Sequence, residues 1–489
     1  MPNNKIAHSF LWKLLERFSS QAISIVVTIL LARILMPAEY GVVAIILVFI
    51  NISNVIIDGG LSTALIQKKD ADSTDFSTIL LFSMGMAALL YTILFAAAPS
   101  VSAFFGNPLL TPTLRVLSIN LFFNSFNAVQ RAYVSRHMLF NKMFYCSLLA
   151  TICSGTIGIV MAHYGFGVWA LVTQQIVMQV ALTGTMWLFI QWRPIMCFST
   201  QRFFPLFNYG WKIFLTNFII AVYEEIRSLI IGKVYTPASL AFFDRGKQLP
   251  NMIMTNINIS LQTILLPAFA DIQDDPQQVK RIMRRAVEVT NFFIMPLLVI
   301  LLVSAKPFVL IVLTDKWLGA VPFIQIFCIA NLWMPIQSAN MSVIKALGYS
   351  NITLKLEIVK KVLETVILIV SFMIDVYAVA WGIVVYNVVC LFINLHPSKR
   401  IIDYGIAEQL RGVIVQLTIA ATMGVAICWI PLLNLNMAIA LAAQYVFGFL
   451  LYYGMHRLLN TSSYAFVKSI VKQELAMMMK HKSIPQAKI

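Results

Sequence analysis

Apolar runs of about twenty residues recur from one end of this 489-residue chain to the other, and that is the length a helix needs to cross a bilayer. Fourteen such runs are read near 10–35, 39–66, 77–98, 112–133, 143–162, 167–190, 206–232, 247–268, 288–304, 320–345, 355–374, 376–396, 409–431 and 434–455. Strand-like alternation is lacking, and lipid leaves no backbone polar group unsatisfied, so the runs are expected to be helices. With 60% apolar and only 11% charged residues, nearly all the mass belongs in membrane. The expected fold is therefore an all-α polytopic membrane protein of about fourteen transmembrane helices.

The net charge of +16 would raise nucleic acid as a partner of a soluble protein. Here the basic residues sit in short segments between apolar runs, which is the pattern of the positive-inside rule, and no nucleic-acid partner is expected. Lys13 and Arg17, Lys68 and Lys69, Arg131, Arg136 and Lys142, and Arg193, Arg202 and Lys212 alternate with nearly uncharged loops. The pattern continues through Lys280 to Arg285, Lys345 to Lys361, Lys399 to Arg411 and a basic tail at 456–489. Both termini are thus expected in the cytoplasm, the tail fixing topology or lying along the anionic inner leaflet. The N-terminus shows no small-residue cleavage site, so no removable leader is expected. The six cysteines have neither metal-ligand nor disulfide spacing, and no metal or cofactor is expected.

The chain repeats itself. Leu11-Trp12-Lys13 matches Gly210-Trp211-Lys212, and Arg33 to Ala38 matches Lys233 to Ala238, about 200 residues on. Asn120-Leu121 matches Asn331-Leu332 and Trp169 matches Trp381, at an offset of about 211. Residues 1–192 and 206–396 read as two six-helix lobes, followed by a helix pair over 402–455 and the tail. An even number of helices per lobe makes the repeats parallel, a design that suits alternating access.

Polar stripes mark the repeated helices. Asn51, Asn54, Asp58 and Ser62 share one helical face, and Asn251, Thr255, Asn258 and Gln262 share the equivalent face in the second lobe. Arg17, Gln21, Ser24 and Thr28 are answered by Asn217, Glu224 and Ser228. A weaker stripe, Asn120, Asn124, Asn127 and Arg131, runs along the fourth span. Ionisable residues at membrane depth face a bundle interior or a water-filled cavity, so the stripes are read as walls of a polar lumen. Hydrogen bonding between helices is the competing explanation for the uncharged members. Glu224, Asp58 and Glu16 are the candidates for coupling transport to an ion, since desolvation would move a carboxyl toward proton exchange; a Glu224–Arg227 pair at i+3 competes with that role.

Leu35-Met36-Pro37-Ala38-Glu39-Tyr40-Gly41, followed by Asp58 to Lys68, resembles the opening of the Wzx-type polysaccharide exporters, and within them the colanic-acid and teichuronic-acid exporter branch. Phe243-Asp244-Arg245-Gly246, Leu265 to Ala268, Gln273-Asp274-Asp275 and Gly165 to Ala170 are similar to the same branch. Asp244-Arg245-Gly246-Lys247 departs from the commonest family form, in which a small residue follows the arginine, so the resemblance carries no role over to Lys247. The resemblance implies the multidrug/oligosaccharidyl-lipid/polysaccharide flippase superfamily and a non-enzymatic protein of the bacterial inner membrane. It also implies an undecaprenyl-pyrophosphate-linked sugar repeat unit as substrate, with polysaccharide polymerase and assembly proteins as possible partners beside membrane lipids.

Arg33, Arg115, Arg227, Lys233, Arg245, Lys247, Lys306 and Lys316 fall outside the cytoplasmic segments. Arginine's planar fork suits phosphate and carboxylate oxygens, so Arg227 and Arg245 are expected to contact the substrate, with Arg17, Asn51, Asn54, Asn251 and Asn258; anchoring at the membrane interface is the alternative. A multidrug cation antiporter would share the architecture but would favour an acidic cavity. A polymerase or ligase would need a large outer loop, and Asp70-Ala71-Asp72 lacks the surroundings of a glycosyltransferase site. No phosphate-binding glycine loop is present to make ATP the direct energy source.

Overall fold

A computed structural model describes residues 2–469 except 69, 196, 273, 274 and 434; the side chains of 2–11, 14, 256–264, 266–268, 270, 271 and 350 lie outside the description, as does the tail at 470–489. Among the described residues the chain is helical throughout and holds no strand. The helices are α1 (Pro2–Ile34), α2 (Pro37–Asp58), α3 (Leu61–Gln67), α4 (Ser73–Phe105), α5 (Leu110–Leu117), α6 (Asn120–Arg136), α7 (Phe140–His163), α8 (Val168–Phe189), α9 (Thr200–Val234) and α10 (Pro237–Asp271). Then come α11 (Pro276–Val312), a 3-10 turn (Asp315–Ala320), α12 (Val321–Asn331), α13 (Met334–Ala346), α14 (Ser350–Phe372), α15 (Val376–Leu395), α16 (Ser398–Ile402), α17 (Ile406–Cys428) and α18 (Met437–Leu458).

Among the described residues each span read from the sequence is mostly helical, although 39–66, 112–133 and 320–345 are each broken into two helices. Nine helical stretches among the described residues are long and apolar enough to cross a membrane. The others are α5 with α6, α8, α9, α10 and α14, and each carries amides or charges where a simple membrane helix would carry leucine.

Local chemistry sets the breaks. α2 starts on Pro37, whose missing N–H is no loss at a helix start, and Glu39 accepts from the Met36 amide at 2.7 Å. It stops where Gly59 and Gly60 take φ of 53° and 71°, a region that side chains disfavour. A methyl group at Gly60 would also overlap the Gly210 carbonyl of α9. α4 starts on Asp72, which accepts from the Thr74 and Asp75 amides at 3.0 Å each, while Asp75 reaches back to the Asp72 amide at 3.1 Å. This reciprocal cap satisfies donors that the first turn leaves open.

Two compact units result, Met1–Ala241 and Phe242–Ile489. The division lies inside α10, whereas the repeat read from sequence places its boundary at 193–205. In the first unit α9 lies along α2, α3 and α4, so the start of the second repeat is held by the first unit. The segment between α8 and α9 is fastened too. Ile195 N–H donates to Ser77 Oγ at 2.9 Å and Ser199 N–H to Thr78 Oγ1 at 3.3 Å. Trp192 is buried against Phe76 and Tyr133 at ring separations of 5.9 and 6.0 Å.

The same corner is charged. Lys68 Nζ lies 2.7 Å from the fully buried Asp75 and Arg202 lies 2.6 Å from Asp72. Burial pushes the Asp72 carboxyl up, but the Asp75 amide, the Arg202 guanidinium and the Thr74 amide outweigh it and hold the group below its ordinary value. A depressed carboxyl stabilises the fold above its unfolded pKa, about 3.9, and the contribution is lost as pH falls through the lower folded value. Asp72→Ala is therefore expected to cost about 1 kcal/mol near neutral pH. Asp72→Asn, which keeps the cap acceptor, should cost less. Thermal unfolding in detergent checks both, and the gap between wild type and Asp72→Ala should narrow as pH falls below about 4.

Candidate functional site

α1 puts Lys13, Arg17, Ser20, Gln21 and Ser24 on one side at helical spacing, and in the first unit that side faces α7 and α8. Small residues permit the approach: a methyl group at Gly155 of α7 would strike Val27, and one at Gly158 would press on Gln174. Between the three helices lies a cavity of about 580 Å³, lined by these α1 residues with Glu16, by Thr151 and Ser154 of α7, and by Gln174, Gln175 and Met178 of α8. A second cavity of about 360 Å³ shares Lys13, Glu16, Ser20, Thr151 and Met178 with it and adds Arg131 and Ser135 of α6 and Ser147 of α7. Together they make one polar cleft.

Three cations and one carboxylate line it. Glu16 lies 3.2 Å from Lys13 Nζ and accepts from Ser147 Oγ at 3.2 Å. Lys13 also stands 5.3 Å from the Phe140 ring. Arg17 and Arg131 add guanidinium groups, whose five donors match the oxygens of a phosphate or carboxylate. The hydroxyls and amides of α7 and α8 supply neutral donors and acceptors around them.

Of the residues expected from sequence, Arg17 and Glu16 meet in this cleft with Gln21 and Ser24. The others are distributed elsewhere. Asn51 donates to Glu225 Oε1 of α9 at 2.9 Å, so the carboxylate facing α2 is Glu225, while Glu224 is exposed and Asp58 half-buried. Arg227 is half-buried on α9. Arg245, in the second unit, donates to Gln248 Oε1 at 2.7 Å and lies 5.7 Å from the Trp317 ring. Asn258 and Gln262 lie outside the described side chains. Two basic exceptions to the positive-inside pattern are backed by aromatics of α4. Arg115 lies 4.2 Å from the Phe95 ring and donates to its carbonyl at 3.2 Å, and Lys233 lies 4.4 Å from the Phe104 ring. That is the geometry of side chains reaching along an apolar stem.

The asparagine stripes tie helices together. Asn124 of α6 donates to Asn54 of α2 at 3.3 Å, and in the second unit Asn331 of α12 donates to Asn251 of α10 at 2.9 Å. By the repeat, Asn251 and Asn331 answer to Asn51 and Asn120, one turn from the bonded pair of the first unit. The same two helices are thus joined by an amide bridge in each repeat. Asn127 continues the ladder to Gln179 at 3.1 Å and Thr183 at 2.9 Å on α8. Asn54→Ala and Asn331→Ala are each expected to lower stability by about 0.6–2 kcal/mol, read by unfolding in detergent.

Arg131, on the weaker fourth-span stripe, also lines the cleft, whereas sequence reasoning did not single out Lys13, Thr151, Ser154, Gln174 or Gln175 as cleft residues. The signal was present: Ser147, Thr151 and Ser154 fall at i, i+4 and i+7 of one span, the same spacing that marked α1.

Residues 30–322, more than half of the chain, match the polysaccharide biosynthesis protein family. Relatives include the lipopolysaccharide biosynthesis protein WzxC of Escherichia coli, 22% identical over 68% of this chain and 68% of that one. The succinoglycan biosynthesis transport protein ExoT of Rhizobium meliloti is 22% identical over 65% of each chain, and the teichuronic acid biosynthesis protein TuaB of Bacillus subtilis is 20% identical over 76% of this chain and 78% of its own. Among solved structures, the lipid II flippase MurJ aligns over 92% of this chain and 100% of its own with a TM-score of 0.71 at 15% identity. A multidrug resistance MATE family transporter aligns over 80% and 94% with a TM-score of 0.58 at 14% identity; these two establish the fold. The chain belongs to the polysaccharide biosynthesis protein family and has the fold shared by the MurJ and MATE structures.

Proposed function

We propose that this chain moves an undecaprenyl-pyrophosphate-linked oligosaccharide from the cytoplasmic to the outer leaflet of the bacterial inner membrane by alternating access. The observation that carries the reading is the cleft of the first unit, where Lys13, Arg17 and Arg131 outnumber Glu16 around polar space inside an apolar shell. A pyrophosphate leaving water needs cationic partners in place before it desolvates. A cavity for cationic drugs would need the opposite balance, and this separates the exporter from the antiporter of the same fold.

Within this reading fourteen helices cross the membrane and both termini are cytoplasmic. Glu16 becomes the first candidate for ion coupling because it alone of the three carboxylates lines the cleft; Asp58 and Glu224 follow. Arg227 and Arg245 remain proposed contacts, and a polymerase and assembly proteins proposed partners. Expression in a strain that lacks its own exporter, and whose lipid-linked repeat units therefore accumulate on the inner leaflet, tests the function. Restored surface polysaccharide supports it, and continued accumulation despite normal insertion counts against it.

A further inference from the structure

The cleft of the first unit changes character along its length. Lys13 and Glu16 line both of its cavities, and the smaller adds Arg131. The larger alone reaches Gln21 and Ser24 of α1 and Gln174 and Gln175 of α8. From Arg17 to Ser24 the α1 wall rises about 10 Å, at 1.5 Å per residue, and no ionisable residue lines the cavity beyond Arg17.

This neutral end is built of side chains left open. One turn along α8, Gln179 accepts from Asn127 of α6 at 3.1 Å. On α7 the hydroxyls of Thr151 and Ser154 donate to carbonyls of their own helix at 2.7 and 3.2 Å. By contrast Ser24, Gln174 and Gln175 make no hydrogen bond among the described residues, and Ser20 Oγ is buried without a partner. Amides that join helices do so through the bonds these lack, so joining helices does not account for them. Their stems are nonetheless fixed. At Gly158 of α7 a methyl group would stand 3.0 and 3.1 Å from Gln174 Cβ and Cγ, so the backbone closes behind that side chain and its amide is held in place before any ligand arrives.

An amide offers two N–H donors and a carbonyl acceptor, and so matches the hydroxyls of a sugar ring, each of which donates and accepts. Neither glutamine supplies a counter-charge. A carboxylate at this end would be left uncompensated at membrane depth. We propose that Gln174, Gln175 and Ser24 form a saccharide subsite for an uncharged sugar ring, the one joined to the pyrophosphate that Arg17 and Arg131 hold. The proposal rests on the reading of the chain as an exporter of a lipid-linked saccharide, and it names the group that follows the phosphates. It also orients the substrate, with the phosphates at the Lys13 end of the cleft and the sugar toward Ser24.

The test uses the full chain in lipid nanodiscs and calorimetric titration with inorganic pyrophosphate and with glucosyl, galactosyl and glucuronyl pyrophosphate. The wild-type chain is expected to bind at least one of the two neutral sugar pyrophosphates about tenfold more tightly than pyrophosphate itself, and the glucuronyl probe no more tightly than pyrophosphate. Gln174→Ala with Gln175→Ala should erase the gain from the neutral sugar and leave the probes alike. Gln175→Arg, which puts a cation at the neutral end, should turn the preference toward the glucuronyl probe, a result that a misfolded chain cannot give. No gain from either neutral sugar in the wild type, or a gain kept by the double alanine variant, overturns the subsite. So does an equal loss of every probe in that variant, which would mean that the glutamines only shape the cleft. Arg17→Ala separates the two readings. Pyrophosphate binding that Arg17→Ala weakens, with no gain from a neutral sugar, sinks the subsite alone, whereas no pyrophosphate binding by the wild-type chain sinks the exporter reading with it.

Discussion

Arg17→Ala is expected to lower export of the lipid-linked saccharide by about ten- to a hundredfold while the protein inserts and unfolds as the wild type does. A charge-assisted hydrogen bond contributes about 1.5–3 kcal/mol, and each 1.4 kcal/mol is a factor of ten. Arg17 lines the larger cavity of the first unit, so its loss removes a ligand contact and no core contact. Arg17→Lys keeps the charge and loses the planar fork, and should fall between the two. The measurement is the rate at which surface polysaccharide appears, normalised to inserted protein. Wild-type rates for both variants would remove Arg17 from the binding role.

The second large effect is on assembly. Gly41, within the stretch that resembles the exporters, lies where a methyl group would overlap the backbone carbonyl of Pro237. Gly246 lies where it would overlap Phe323 and press on the Ile324 backbone. Backbone cannot swing aside as a flexible side chain can. Gly41→Val and Gly246→Val are expected to destabilise by about 3 kcal/mol or more, the upper range for overfilled interiors, and to leave little monodisperse protein after detergent extraction. Gly85 and Gly184 provide the control, since nothing stands within 4 Å of an added methyl group there. Alanine at either should be neutral or stabilise by up to about 1 kcal/mol, because it restricts the unfolded helix. Normal yields of the two valine variants would mean that α2 and α12 do not make these close approaches.

The helices were legible because length and apolarity are properties of each segment alone. α1 was legible for the same reason: Arg17, Gln21 and Ser24 share a face whatever surrounds them. What periodicity cannot supply is the identity of the element across from a polar face. Asn54 and Asn127 bond Asn124 and Gln179 on neighbouring helices, partners that the stripe alone does not name, because an amide beside an amide leaves the same sequence pattern as one facing water. A step of 100° along α9 separates Glu224 from Glu225, and the bond from Asn51 at 2.9 Å shows which one faces α2. The division inside α10 was hidden for a further reason, since the grip of α2, α3 and α4 on α9 is made of contacts distant in sequence.

The purified chain in proteoliposomes, loaded with a fluorescent undecaprenyl-pyrophosphate-linked oligosaccharide, tests the central claim most directly. An impermeant quencher added outside reports which leaflet holds the label. The account predicts transfer between leaflets faster than in protein-free vesicles, and its loss with Arg17→Ala. Transfer no faster than in protein-free vesicles, together with uptake of a cationic dye by the same proteoliposomes, would contradict it.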